Sequence, residues 1–194
     1  MARGSRRAQI TAAAVKLFDE RGYYGAGMGD VARSIGMGAS SLYNHYASKQ
    51  EILAEIAIGA MEDLLRINAR ELAGVSGPLD RLRVSMRTHV MFHADFRQAV
   101  RVVNKEIDSL EEPSRSVVTQ LRKDYVARWE AIIKEGVEQG LFDVENLRIA
   151  CWALIDMGIG VSAWFSPEGA LSSEELGDMY AEMALRQLGV KSAN

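Results

Sequence analysis

The chain has 194 residues with 23 basic and 26 acidic side chains, a formal net charge of -3, three prolines and one cysteine. It is long enough to bury a core, either as one compact unit or as a small and a larger domain. Cys151 is alone, which excludes an intramolecular disulfide, and with a polar, basic start in place of a secretory signal the expected compartment is the reducing cytoplasm.

A first helix is predicted from about Ser5 to Arg21, because Ile10, Ala13, Ala14, Leu17 and Phe18 share one face and Gly22 follows as a stop. Residues 26 to 51 then read as two short helices around a glycine turn. Met28, Val31, Ala32 and Ile35 are spaced for one helical face, closed by Gly36. The second helix carries Ser40, Ser41, Tyr43, Asn44 and His45 over roughly two turns, with Leu42 as its one large apolar anchor. Hydroxyl, amide, phenol and imidazole groups left pointing outward suit groove edges and phosphates. The charge distribution agrees: residues 1 to 49 sum to +4 and the remainder to -7. An arginine cluster such as Arg3, Arg6 and Arg7 is, alone, as often a solvated tail; beside this helix pair it points to DNA.

Gly22-Tyr23, Asp30-Val31-Ala32, Gly36, Ser41-Leu42-Tyr43-Asn44-His45-Tyr46 and Ser48-Lys49-Gln50-Glu51 together resemble the DNA-binding domain of the tetracycline-repressor (TetR) family of bacterial transcriptional regulators. The resemblance implies an all-α fold: a three-helix N-terminal domain with the helix-turn-helix, then a helical C-terminal domain that binds an effector and dimerises. On that pattern residues 1 to 49 form the DNA-binding domain, and 50 to 194 the connecting helix and the ligand-binding and dimerisation domain. Arg3, Arg6, Arg7, Gly38, Ala39, Ser40, Ser41, Tyr43, Asn44, His45 and Lys49 would meet DNA, Lys49 at a phosphate. Ala26, Gly27 and Gly38 stand where the family commonly has Thr or Ser, so both reading helices lose a side-chain cap. Glycine in place of such a cap costs only a few tenths of a kcal/mol, and Gly29 costs about 0.5 to 1 kcal/mol against alanine. The expected consequence falls on operator affinity, not architecture.

Beyond this head, Ser48 and Glu51 form a capping box for a connecting helix running to about Leu72, and Gly74 to Pro78 breaks the pattern. Further helices are predicted over Pro78 to His93, Phe96 to Ile107, Pro113 to Gln139, Asp143 to Phe165 and Ser172 to Leu188, making about nine in all. The apolar run Ile149 to Phe165 contains Asp156, Gly158 and Gly160 and falls short of the ~20 residues a membrane span needs. No membrane partner is expected.

Chemistry is sparse. His89 and His93 have the i, i+4 spacing of a metal-binding helix face, but only Asp95 lies near as a carboxylate. No catalytic residues, no metal and no cofactor are predicted, and no nucleophile elbow or phosphate loop is present. The body instead offers a lining for an apolar ligand in Met86, Arg87, Val90, Met91, Tyr125, Trp129, Trp152 and Asp156, each of which also suits ordinary packing. Asp156 fits worst as core, because an unpaired buried carboxylate is costly. It must meet a cation or ligand, or face a subunit seam, where Trp164, Met179 and Met183 are also placed. Trp164-Phe165-Ser166-Pro167-Glu168-Gly169-Ala170-Leu171-Ser172 resembles the TetR subgroup that responds to acyl-CoA thioesters, with Arg87 or another cation for the anionic end.

The reading is a homodimeric repressor that leaves double-stranded operator DNA when a small apolar or amphiphilic effector, such as an acyl-CoA thioester, binds. The alternative is a helical lipid or acyl-thioester carrier or enzyme without a DNA role.

Overall fold

A computed structural model describes residues 6–190; Arg3, one of the expected DNA contacts, lies outside them. Among the described residues the chain forms ten α-helices and one 3-10 turn, with no strand. These are α1 Arg6–Arg21, α2 Met28–Ser34, α3 Ala39–Tyr43, α4 Lys49–Glu71, α5 Pro78–Asp95, α6 Arg97–Glu106, the turn η1 Ile107–Ser109, α7 Ser114–Glu138, α8 Leu147–Ile159, α9 Val161–Trp164 and α10 Ser173–Gln187. All nine expected helices are present. The eighth starts later than expected, because the Asn146 side chain caps it by accepting the Ile149 N–H at 3.1 Å, and it is broken at Gly160 into α8 and α9.

Two compact units divide the chain: Met1–Met61 with Gln98–Thr119, and Glu62–Arg97 with Gln120–Asn194. In the first, α1 packs on α2 and α2 on α3. Ile10, Ala14, Leu17 and Phe18 of α1, Val31 and Ala32 of α2, and Leu42 of α3 are buried, as the apolar spacing predicted. Gly36 makes the turn between α2 and α3 with φ 65°, a left-handed conformation that side chains with a Cβ resist. The segment Gln98–Thr119 adds buried Val100, Val102, Val103, Leu110 and Val118 to this unit.

In the second unit α5 packs against α8, α9 and α10. Pro78 begins α5 at a position that needs no N–H bond, and Ser172 begins α10 with a capping box closed by Glu175. The α5 helix is buried on so much of its surface that Ser85, Thr88, His89 and His93 lie inside with Leu82, Met86 and Val90. Such groups are tolerated only when hydrogen-bonded. Leu147–Trp164 has the length and apolar composition of a membrane span, yet its exposed residues include Arg148 and Asp156.

Candidate nucleic-acid interface and effector region

The recognition segment is a short scaffold carrying a dense polar surface. Gly38 precedes α3 with extended backbone and no capping side chain, and Asn44 closes it. Leu42 is fully buried, while Ala39, Ser40, Ser41, Tyr43 and Asn44 are exposed and His45 is half-buried. Tyr43 is 54% exposed despite its ring, with no side-chain hydrogen bond among the described residues. Asn44 and His45, expected on the helix, lie instead in the turn that ends it, where the His45 N–H bonds the Leu42 carbonyl at 2.9 Å. A depression of about 430 Å³ beside them is lined by Arg6, Gly36, Met37, Gly38, Ser41, Asn44 and His45. A cation, a hydroxyl, an amide and an imidazole thus converge on one concave polar surface, the chemistry of phosphate and base-edge contacts.

Two of the expected contacts are engaged elsewhere. Arg7 donates to the Glu55 carboxylate at 2.5 Å and to the His45 carbonyl at 2.9 Å, and its guanidinium lies 4.1 Å over the Tyr46 ring. Lys49, expected at a phosphate, turns inward: its ammonium donates to the carbonyls of Tyr23 at 2.7 Å and Ala26 at 3.0 Å and sits 4.1 Å over the Tyr23 ring. Both cations brace the helices that present α3. Tyr46 is a further brace that the sequence reading missed. It is fully buried, and its hydroxyl donates to Glu55 at 2.6 Å. Partial burial raises the Glu55 carboxyl, but the bonds from Tyr46, Arg7 and Thr11 hold it below the usual carboxylate range.

The missing cap on α2 is partly replaced. Gly27 offers no side chain, but its N–H donates to Asp30 at 2.9 Å, half of a capping box. That backbone bond, and then the contact with Arg33, keep the Asp30 carboxyl below its ordinary range.

In the second unit the candidate ligand residues separate into groups. Met86, Val90, Tyr125 and Trp129 are buried, and Met91 is half-buried. Arg87 is partly exposed and paired with Asp178 at 2.7 Å. Trp152 and Asp156 do not join the buried group. Helical spacing puts them with Ile149 on the exposed side of α8, while Cys151, Leu154, Ile155 and Gly158 face inward. Asp156 thus avoids the desolvation that made it an uncomfortable core residue. Trp164, Met179 and Met183 are also exposed, at 57%, 53% and 41%, and an unpaired apolar surface of this kind suits a subunit seam.

His89 is the centre of the buried group. Its Nε2 meets the Ile155 carbonyl at 3.0 Å, so that nitrogen carries the proton, and Nδ1 accepts from the Tyr125 hydroxyl at 2.9 Å. His93 Nδ1 donates to the His89 carbonyl at 2.7 Å. The helices approach so closely here that a Cβ at Gly158 would lie 2.7 Å from His89 Nε2 and closer still to Cδ2. Burial drives the His89 pKa well below the ordinary value, with His93 adding to the shift, and burial lowers His93 to about 4. Both rings are therefore neutral near pH 7. Among the described residues no group of three or more His, Cys, Asp and Glu could hold a metal. Trp129 stacks edge-on to His89 at 5.6 Å, and its buried Nε1–H has no acceptor among the described residues. Burial also pushes the Cys151 thiol to about 12, so it stays an inert thiol.

The sequence matches two family models, bacterial regulatory proteins of the tetR family over residues 10–56 and the tetracyclin repressor-like C-terminal domain over residues 75–188. The HTH-type transcriptional repressor KstR2 of Mycolicibacterium smegmatis is 27% identical over 191 residues, covering 93% of this chain and 89% of its own. The KstR2 of Mycobacterium tuberculosis strain H37Rv is 25% identical over 190 residues, covering 93% and 92%. Among solved structures, the TetR family transcriptional regulator PfmR of Thermus thermophilus superposes with a TM-score of 0.83 at 32% identity, over 91% of this chain and 97% of that one. A tetR-family protein of Rhodococcus RHA1 gives 0.89 at 27% identity, over 98% and 100%.

Proposed function

The chain belongs to the TetR family of bacterial regulatory proteins, a family of DNA-binding transcriptional regulators and not of enzymes, and from that premise we propose that it is an effector-released repressor. Residues 1 to 49 read the operator, and residues 50 to 194 connect, bind the effector and dimerise. Ser40, Ser41, Tyr43, Asn44 and His45 face base edges and phosphates, with Arg6 and the Gly38 and Ala39 backbone on the phosphate side. The single observation that carries this is an exposed Ser-Tyr-Asn surface held by one buried Leu42. Two heads in a homodimer fix the half-sites about 34 to 36 Å apart or a multiple of it. Trp164, Met179 and Met183 form the seam.

The effector enters the region of Met86, Val90, Tyr125 and Trp129, where the Trp129 N–H is a donor awaiting an acceptor and a thioester or carboxyl oxygen would supply one. An acyl-CoA thioester is the proposed class, with Arg87 near its anionic end, and the protein acts in the cytoplasm. Its effect on DNA equals its differential affinity for the bound and released shapes. A gel shift with the DNA upstream of the protein's own coding sequence tests the reading. Binding must weaken steeply with salt, as counterion release from phosphates requires, and fall on adding an acyl-CoA. Absence of any shift, or a flat salt response, refutes it in favour of a carrier without a DNA role.

A further inference from the structure

Polar bonds in the first unit close into a ring around the turn that precedes α2. Glu106 is buried, at 6% exposure. One of its carboxylate oxygens accepts the Tyr23 N–H at 3.2 Å and the other accepts the Ser109 hydroxyl at 3.0 Å. The Ser109 carbonyl accepts the Gln50 side-chain amide at 2.6 Å, and the Glu111 N–H donates back to Gln50 at 3.3 Å. Beside Gln50 in sequence, Lys49 returns to the Tyr23 carbonyl at 2.7 Å. The circuit runs Tyr23, Glu106, Ser109, Gln50, Lys49 and back to Tyr23. A second tie joins α6 to α1, where Arg101 pairs with Asp19 at 2.5 Å.

The object held by this ring is the link from α1 to α2. Tyr23 itself is gripped by a carboxylate on its N–H and an ammonium on its carbonyl, and the same ammonium reaches the Ala26 carbonyl at 3.0 Å. Charge-assisted bonds are about twice as strong as neutral ones, and a buried donor left without its acceptor is costly. Gly27 has no side chain with which to cap α2, so the start of that helix depends on the turn before it.

We infer that Glu106 is a positioning residue for DNA reading: through this ring it fixes where α2 begins, and with it the pose in which α3 presents Tyr43 and Asn44. The inference rests on the proposed operator binding. A buried carboxyl group bonded to Tyr23 and Ser109 is no partner for phosphate, and the influence of Glu106 is on registration. Specific recognition depends on placing groups within about 0.5 Å, whereas non-specific attraction depends on charge near phosphates. The two should therefore respond differently to its loss.

The test compares wild-type protein with Glu106→Ala and Glu106→Gln on two probes: a duplex that the wild type selects from random-sequence DNA, and poly(dI-dC). Glu106→Ala is expected to lose about tenfold or more in affinity for the selected duplex, with poly(dI-dC) binding and its salt slope unchanged. Glutamine can accept the Tyr23 N–H and donate to the Ser109 hydroxyl, so Glu106→Gln should recover to within about threefold. Equal loss on both probes, undiminished affinity for the selected duplex, or no recovery with glutamine overturns the inference. Amide hydrogen exchange on the free protein adds a readout that needs no DNA: Tyr23 to Ser34 should exchange faster in the alanine variant and at the wild-type rate in the glutamine variant. Unchanged exchange there overturns the ring on its own. A wild type that selects no duplex overturns the operator proposal itself, while variants that behave as wild type on a selected duplex overturn only the role of Glu106.

Discussion

Two clusters in this molecule use similar side chains to opposite ends. On and after α3, Ser40, Ser41, Tyr43, Asn44 and His45 surround a single buried leucine, and the side chains of Ser40, Tyr43 and Asn44 have no hydrogen-bond partner among the described residues. Between α5, α7 and α8, His89, His93 and Tyr125 are buried and bonded to one another or to backbone. Residue type alone does not distinguish the two. What distinguishes them is where the hydrogen-bonding capacity goes: the inner cluster uses its own to fix a core, and the outer one leaves its own open for a partner. The inner cluster should therefore respond to changes through stability, and the outer one through DNA affinity.

The largest expected effect is on the inner cluster, by acid. His93 in the folded state is lowered from 6.5 to about 4, and burial also holds His89 well below 6.5. Below pH 6.5 the unfolded chain binds protons that the folded chain refuses. Stability is therefore complete above pH 6.5 and is lost as pH falls toward 4, by about 3 kcal/mol from His93 alone at 1.36 kcal/mol per unit. Denaturant unfolding at pH 7.5, 6, 5 and 4.5 measures this. A flat profile down to pH 5 would mean the histidines are not buried neutral. Carboxylates such as Asp30 and Glu55, whose pKa values lie below the ordinary range, contribute their own loss only at lower pH.

Next in size is Gly158→Ala. The added Cβ would overlap a His89 ring that is pinned by bonds at both nitrogens, and overpacking of this kind costs about 1 to 3 kcal/mol. A lower melting temperature is expected, with operator affinity unchanged wherever the protein remains folded. Tyr43→Ala should do the reverse. The side chain is exposed and makes no internal hydrogen bond, so stability should stay within about 0.5 kcal/mol, while operator affinity falls about tenfold or more, the scale of one lost base or phosphate contact. A melting temperature that falls with Tyr43→Ala would make that residue part of the core and erase the contrast between the clusters.

Period and punctuation made the helices legible. Gly22, Gly36, Pro78 and Ser172 each mark an end through backbone chemistry that acts within a few residues, and each marks an end in the structure. The outward face of α3 was legible for the same reason, since Leu42 alone had to go inward. What stayed hidden depends on partners far away in the chain. Nothing local says that Lys49 finds two carbonyls or that Glu106 reaches Tyr23, and a charged side chain near a reading helix looks like a phosphate contact until its other neighbours are known. Trp152 and Asp156, expected in a pocket lining or, for Asp156, at a subunit seam, were hard to place for a related reason. Chemistry suggested a pocket lining, but the α8 face they occupy was decided by where Cys151, Leu154 and Ile155 had to pack.

The smallest effect tests the outer cluster's scaffold. Gly27 has φ -102° and ψ 166°, a conformation open to any residue, and an added Cβ would meet only Asp30 Oδ2 at 3.4 Å. Gly27→Ser can therefore bring a hydroxyl to the first-turn N–H groups of α2, where the Asp30 N–H now reaches only the Gly27 carbonyl at 3.0 Å, while Asp30 keeps its bond to the residue 27 amide, completing the capping box that is now half formed. Relative to glycine the gain is a few tenths of a kcal/mol, which a melting curve barely registers. Operator affinity is the more sensitive readout, because the same hydroxyl lies at a helix N-terminus, where phosphate contacts form. A gain of about twofold or more in operator affinity, at a melting temperature within a degree or two of wild type, is the expected outcome. A loss of affinity would place the start of α2 against DNA too tightly for any side chain, and would make the glycine there a requirement of the contact and not merely a weak cap.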